Sequence, residues 1–342
     1  MSVPTPHALQ PFWNIAAAPI QAQAVDQAIE HRLFALLHKP KTADDLARTL
    51  GLNPVGTAIW LDLLWGLDLL VRSVPPAQPS EAQYTTSPVA SRFFMEGSAE
   101  NCAQAWMYRA RFLARFAGTW GKLLHHESDP QTEAAPKGSW AQAARGQIGQ
   151  EQRAVTVPAV LNLLDRLPAL PATGRLLDLG GGPGHVGIAL AQRLPGWQAV
   201  LCDQPETAQV AQENIEQAGL SARAQALGCD LDVDAIGHGY DLIWCSSVLH
   251  FLNDPQRAVR KMFDALNPGG LLLLAHAECT NDKSLSARVM PFYSSLVVRG
   301  HLLPRTGELA RMMAHAGFAE ICALGHIDFP MAPVWVHRGR KA

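Results

Sequence analysis

The sequence lacks most of the features that would settle its chemistry at a glance. Six of its 342 residues are cysteine (Cys102, Cys202, Cys229, Cys245, Cys279 and Cys322), and no two form a CxxC pair. That spacing indicates neither a zinc site nor a disulfide framework, since small thiols in or beside apolar segments are ordinary core residues. Charge of one sign is missing too: Lys and Arg total 28 against 30 for Asp and Glu, a formal net charge of -2. A phosphate-binding surface shows as basic excess or a basic stripe, so nucleic acid is not an expected partner. No apolar run reaches the roughly 18 residues of a membrane span, and MSVPTPHALQPFW carries no charged leader ahead of an apolar core. A soluble cytoplasmic protein without membrane contact is expected.

What the chain does have is apolar content, 48% of its residues, enough for one large domain or two. Residues 175–184, RLLDLGGGPG, are the most informative stretch. An apolar run of strand length carries Asp178 and breaks into Gly180, Gly181, Gly182 and Gly184 ahead of a helix-like segment. Glycines suit such a turn because bare backbone approaches a ligand closely and adopts positive φ angles. Gly182, Gly184 and Gly187 also spell GxGxxG, a weak dinucleotide fingerprint that keeps a nicotinamide-dependent oxidoreductase as a rival. Asp178 opposes that rival, because an acid at the strand end attracts a cationic ligand and repels a pyrophosphate.

Before this stretch the pattern is helical. Val25, Ile29, Leu33, Leu36 and Leu37 fall at helical spacings within 16–37, Thr42 and Asp45 form a capping box, and Asn53-Pro54 opens a third helix. With the extended Tyr84-Thr85-Thr86 these resemble a winged-helix unit. The third helix has no Lys or Arg between Arg48 and Arg72 and is filled with Ile59, Trp60, Leu61, Leu63, Leu64, Trp65 and Leu67. Phosphate contacts need cations, so this helix is expected in a core or a subunit interface and not on DNA. Residues 75–82 read as a Pro-rich wing loop and 127–138 as a polar connection between domains. Residues 101–124 form a helix with Trp106, Tyr108, Phe112, Phe116 and Trp120 along it, and 140–167 also looks helical.

From 175 onward strands alternate with helices, which implies an α/β doubly wound sheet. Candidate strands are 175–180, 198–203, 223–229, 240–246, 271–278, 320–327 and 334–338, the last expected to pair antiparallel with its predecessor in a hairpin. Asp203 ends the second strand, where a carboxylate suits both ribose hydroxyls of a nucleotide. It also fits as the N-cap of the helix that follows. Asp230 and Leu231 after the third strand suit an adenine amino group and ring, and the fourth strand ends near Ser246 with His250 just beyond.

DLGGGPG resembles motif I of the class I S-adenosyl-L-methionine (SAM) methyltransferases. Adding CDQP, CDLD, VLHFLND, NPGG, Arg305-Thr306 and the later AGF, nearly the whole chain resembles the O-methyltransferases of the plant caffeate and bacterial polyketide or hydroxyindole type. The resemblance implies a Rossmann-like methyltransferase sheet behind a mainly α-helical winged-helix dimerisation domain. Boundaries are expected at 1–100, 101–167 and 168–342, with the middle region contributing to the substrate pocket. It implies SAM held by Asp178, Gly180, Gly182, Gly184, Asp203, Gln204, Asp230, Leu231 and Ser246, the last standing where the family usually has a cation. It further implies a homodimer, a small aromatic acceptor and no metal.

By the same resemblance His250 is the general base on a hydroxyl, a role an imidazole suits near neutral pH. The acid that usually follows it is Phe251 here, and the usual tryptophan is Leu252. The residue that orients the base falls on Glu278 or His276, which share a strand face two positions apart. Met290, Phe292 and Tyr293 on one side and Trp106, Tyr108 or Phe112 on the other are candidates for an apolar acceptor cleft, with Trp120 and Trp140 equally suited to packing. Two further rivals share the cofactor: methylation of carbon, nitrogen or sulfur driven mainly by positioning, and a SAM-binding regulator using the winged half on DNA.

Overall fold

The computed structural model describes residues 7–74, 82–125, 139–327, 329 and 331–342, so most of the expected wing loop and all of the 127–138 connection lie outside the described residues. The chain divides into two compact units, Met1–Ala114 and Arg115–Ala342.

The first unit runs α1 (Gln10–Glu30), α2 (Leu33–Leu36), β1 (Lys41–Thr42), α3 (Ala43–Leu50), α4 (Pro54–Gly66), β2 (Leu70–Ser73), β3 (Gln83–Thr86), α5 (Pro88–Phe94) and all but the last turn of α6 (Ala103–Ala117). The helix expected over 16–37 is interrupted at Arg32, whose φ of 51° separates α1 from α2. Thr42 and Asp45 form the full capping box of α3, and the Asn53 side chain caps α4 by accepting from the Gly56 N–H at 2.9 Å. The short strands pair in the order β1-β3-β2 beneath a core of Leu33, Phe34, Leu46, Leu61, Leu64 and Tyr84. The third helix is only half buried by its own chain: α4 tucks in Leu61 and Leu64 but exposes Val55, Ile59 and Trp65. Helix α1 likewise exposes Phe12, Trp13, Ile15 and Ile20.

The second unit begins with α7 (Trp120–Leu124). The segment read as one helix then comes in pieces: α8 (Ser139–Ala143), α9 (Gly149–Glu151) and α10 (Val157–Leu164), joined by π-helical turns at Ala144–Ile148 and Gln152–Thr156. There follow β4 (Gly174–Leu179), α11 (His185–Arg193), β5 (Trp197–Asp203), α12 (Pro205–Gln217), β6 (Ala224–Gly228), β7 (Tyr240–Ser246), α13 (Pro255–Ala265), β8 (Leu266–His276), α14 (Lys283–Val298), α15 (Glu308–Ala316), β9 (Ala319–Ile327) and β10 (Val334–Arg340). All seven expected strands are present, in one sheet of order β6-β5-β4-β7-β8-β10-β9. The last strand does pair antiparallel with β9, but it also inserts between β9 and β8 and pairs antiparallel with β8. Apolar clusters cover both faces: Leu177, Ile243, Leu272 and Leu274 on one, Leu176, Leu242, Leu271 and Leu273 on the other. This is the alternation that a strand buried on both faces produces.

The cysteine reading needs a correction: Cys202 and Cys229 are disulfide-bonded across 27 residues of sequence. Parallel pairing of β5 with β6 sets Asp203 against Gly228 and so brings Cys229 beside the end of β5, an adjacency that no CxxC spacing announces. Among the described residues no helix is long and apolar enough to cross a membrane.

Candidate active site

Strands β4 to β8 run parallel, so their carboxyl ends share one edge of the sheet. Sequence order reverses at β4, with β5 and β6 on one side and β7 and β8 on the other, and a ligand crevice opens beyond the strand ends at such a switch point.

After Leu179 the backbone turns through Gly180 at φ 70° and Gly182 at φ 57°, conformations that favour glycine. A Cβ on Gly180 would also come within 2.2 Å of Val248 Cγ2. Asp178 braces the turn from beneath. It is 2% exposed, and its Oδ2 accepts the Gly187 N–H at 2.7 Å. Burial pushes its carboxyl up to about 7, aided by the charge of Asp203 and opposed by the Gly187 hydrogen bond. The sequence placed this acid for attraction to a cation; in the structure it lies under the turn, where attraction would act through space.

Asp203 ties the turn to the second strand end. Its Oδ2 accepts the Gly182 N–H and its Oδ1 the Gln204 N–H, each at 2.7 Å, and burial raises its carboxyl above the ordinary value. The N-cap reading of Asp203 is wrong: Gln204 occupies the N-cap of α12, and no side chain bonds there. Asp230 folds its own turn, with Oδ1 accepting the Asp232 N–H at 2.9 Å, while Leu231 is buried in the core beside it.

Sequence reasoning missed the residues that lie over the glycine turn. Gln152 donates from Nε2 to the Gly181 carbonyl at 2.9 Å and accepts the His185 N–H on Oε1 at 3.1 Å. Arg153 Nη1 lies 2.8 Å from His185 Nε2. A guanidinium only donates, so this nitrogen accepts. Burial, with the nearby Arg153 charge, pushes His185 down to about 4. Both residues lie on the second π-helical turn, a geometry that recurs at functional sites. The legible sign was the pair Gly146 and Gly149 inside a helical pattern, since a Cβ on Gly149 would lie 2.8 Å from the Ala144 carbonyl.

On the β7 side, Ser246 is half-buried at the strand end and Ser247 takes a left-handed φ of 56°, uncommon without glycine. The Ser247 N–H donates to the Ala275 carbonyl at 2.9 Å, and a short 3-10 turn, Leu249–Phe251, then carries His250. Asn253 anchors the far end through its N–H and Nδ2, which donate to the Asp232 carboxylate at 3.0 and 2.9 Å.

His250 Nδ1 lies 2.9 Å from Nε2 of His276, the last residue of β8, and the two rings are 4% and 0% exposed. His276 Nδ1 lies 2.7 Å from the Ala277 carbonyl. A carbonyl only accepts, so His276 Nδ1 carries a proton. Burial pushes His276 down to about 4, so the ring is neutral near pH 7 and its Nε2 is an acceptor. His250 must therefore donate from Nδ1–H, which makes its Nε2 the nitrogen with the basic lone pair.

Glu278, the other candidate partner, pairs elsewhere: its Oε1 lies 2.9 Å from His337 Nε2 on β10, and both groups are buried. Of the α14 candidates, Tyr293 faces the histidine pair, its ring centroid 5.7 Å from that of His250 and 6.2 Å from that of His276. Phe292 packs against the buried cluster of Ala277, Val289 and Ala332, as Tyr293 also does, and Met290 is exposed. Trp140 meets Phe251 edge-on at 4.9 Å, and Trp120 meets Phe116 in the same way at 5.6 Å. The remaining aromatic candidates belong to the first unit. Trp106 packs edge-on against Phe94 at 6.4 Å, Tyr108 is exposed with the Arg109 guanidinium over its ring, and Phe112 is half-buried. Among the described residues no group of three or more His, Cys, Asp or Glu is arranged to hold a metal ion.

Two family models match the chain: a methyltransferase domain over residues 177–272 and an O-methyltransferase dimerisation domain over residues 13–96. The chain is 27% identical over 228 residues to the L-tyrosine C(3)-methyltransferase of Streptomyces lavendulae, covering 64% of this chain but only 57% of that relative. It is 24% identical over 277 residues to the 3-hydroxy-5-methyl-1-naphthoate 3-O-methyltransferase of Streptomyces sahachiroi, covering 79% and 78% of the two chains. Human N-acetylserotonin methyltransferase, solved in complex with SAM, shares the fold with a TM-score of 0.77 at 19% identity, covering 100% of both chains.

Proposed function

This chain belongs to the SAM-dependent O-methyltransferase family, and we propose that it methylates a hydroxyl of a small aromatic or heteroaromatic secondary metabolite, with His250 as general base and His276 as its positioning residue. The hydrogen-bonded histidine pair carries this reading, because it fixes the tautomer in which His250 Nε2 can accept a proton. Both curated relatives described above are named for an aromatic compound, a naphthoate in one case and tyrosine in the other.

The residues present suit the cofactor. Gly180 and Gly182 leave bare backbone at the turn, and the half-buried Asp203 keeps a second lone pair on each oxygen for a ribose diol. Asp230 and Leu231 stand at the neighbouring strand end for an amino group and a flat ring. Arg153, over the turn, is a cation suited to the carboxylate of the methionine part. When bound, the cofactor supplies an electrophilic methyl whose bonding pair leaves with sulfur. Asp178, buried below, adds a favourable field for positive charge. Holding the acceptor oxygen in line with that methyl is the second service of the site, and Tyr293 and Phe251 offer aromatic surface beside the base. The exposed apolar residues of α1 and α4, within the segment that matches the dimerisation domain, support a homodimer.

Transfer to carbon is the second reading, favoured by the tyrosine C(3)-methyltransferase relative. The test is transfer from methyl-labelled SAM to phenols, hydroxylated heteroaromatics, amines and thiols by wild type and His250→Ala. Methyl ethers whose formation falls about a hundredfold or more in the variant are expected. Rates that survive the substitution would remove His250 as the base.

A further inference from the structure

We propose that His185 is a positioning residue for the cofactor: its ring holds the Arg153 guanidinium over the glycine turn, aimed at the carboxylate of the methionine part, so that the site selects a cofactor carrying that carboxylate. The proposal rests on Arg153 being the cation that meets the carboxylate, as in the reading above. It adds the residue that fixes where the cation stands.

His185 opens α11 directly after the glycine turn, and the N-cap is Gly184 at φ 80°, which brings no side chain to cap the helix. Gln152 does so from another segment, accepting the His185 N–H on Oε1 at 3.1 Å while its Nε2 donates to the Gly181 carbonyl at 2.9 Å. The next residue in the chain, Arg153, reaches the ring of the same histidine, with Nη1 2.8 Å from Nε2. His185 is thus gripped twice, at its backbone and at its ring, by neighbours on one π-helical turn. Bare backbone at Gly149 lies against the contact, since a Cβ there would stand 3.5 Å from both Arg153 Nη1 and His185 Nε2.

An exposed arginine samples many rotamers, and ordering it on binding costs side-chain entropy. An acceptor at one end of the guanidinium removes that freedom before the ligand arrives. His185 does this without adding negative charge. Burial, with the Arg153 charge, keeps the ring neutral near pH 7, so it does not compete with the ligand as a protein carboxylate would. Among the described residues Arg153 pairs with no carboxylate, whereas Arg145 is engaged by Glu213. The remaining N–H groups of Arg153 suit a bidentate pairing, the strong geometry between a guanidinium and a carboxylate.

The test is calorimetric titration of the whole chain with two ligands that undergo no chemistry. One is S-adenosylhomocysteine; the other is S-adenosyl-3-thiopropylamine, which keeps the nucleoside, thioether and ammonium and lacks only the carboxylate. Wild type should bind the first at least about tenfold more tightly than the second. Arg153→Ala should bring that ratio close to one. His185→Ala should cut it by about threefold or more with little effect on the carboxylate-free ligand. His185→Gln, whose amide oxygen accepts the same N–H, should restore it. Equal weakening of both ligands by His185→Ala is a merely structural loss and overturns the proposal. So does a wild-type ratio kept in His185→Ala, or one lost as fully in His185→Gln. Should His185→Ala not fold, His185→Phe, which fills the space without an acceptor, is read in its place. A wild-type ratio near one, or a ratio that survives Arg153→Ala, would remove Arg153 as the carboxylate's partner and the proposal with it, a failure distinct from an Arg153 effect that stands without a His185 effect. None of these readouts depends on the acceptor or on His250.

Discussion

The two halves of the sheet edge use opposite chemistry for the same structural task. On the β4–β6 side carboxylates hold backbone amides: Asp178 takes the Gly187 N–H and Asp203 takes those of Gly182 and Gln204. On the β7–β8 side the central bond is between two imidazoles, and a third polar group, the Ala277 carbonyl, decides which nitrogens carry protons. The first side places two carboxyls whose acidity is weakened by burial beneath and beside the glycine turn. On the proposed reading, the second supplies the base, His250, in a tautomer set by His276. If His250 is the base and the β4–β6 ends hold the cofactor, as proposed, substitutions should separate binding from chemistry.

The largest effect expected is that of His250→Ala, which should lower kcat/KM by about 10²- to 10⁴-fold. SAM affinity, read by calorimetry, should stay near the wild-type value. An equal loss of SAM affinity would show that the two sides are not separable. Next comes Asp178→Asn, which keeps an acceptor for the Gly187 N–H and removes the buried charge. The Asp178 carboxyl is raised from 3.8 to about 7, so its contribution to stability is fully present below about 3.8 and is lost as pH rises through about 7. The Asn variant lacks that loss. The gap in unfolding free energy between variant and wild type should therefore widen in the variant's favour from pH 4 to 7, by up to about 4 kcal/mol in denaturant titrations without cofactor. Parallel pH curves would contradict the buried-acid account.

Gly180→Ala should destabilise the protein by about 2 kcal/mol, because a methyl there meets Val248 at 2.2 Å and φ is 70°. Pairing it with Val248→Ala should relieve only the steric part of the loss, and full recovery would remove the backbone argument. Asp203→Asn should be the mildest, weakening SAM by about tenfold as charge-assisted bonds become neutral ones. Unchanged affinity would place the ribose elsewhere.

The difference between the halves also explains what could be read in advance. Asp203 and Asp230 could be placed because each stands at or just past the end of an apolar run of strand length, where a doubly wound sheet delivers its side chains to one edge, whereas His250, beyond the end of β7, was singled out by the resemblance of VLHFLND. His276 and Glu278 were not separable, since a period of two puts both on the same face and the sequence has no means of showing that His337, 59 residues beyond Glu278, would take the acid. Gln152 and Arg153 escaped because helical periodicity describes the face of a regular helix, whereas two π-helical turns rotate these side chains onto a glycine turn about 30 positions away. The Cys202–Cys229 bond escaped for a similar reason: strand register, not local spacing, brings the two sulfurs together.

The most direct test of the account is long-range ¹H–¹⁵N NMR of the histidine rings, with His250→Gln and His276→Gln used to assign the signals. His276 is predicted to remain neutral and protonated at Nδ1 from pH 5 to 8, because burial holds it down to about 4. Neutral His250 should show its proton on Nδ1 and an unprotonated Nε2. A His276 ring protonated at Nε2, or doubly protonated at pH 7, would contradict the relay from the Ala277 carbonyl to the base.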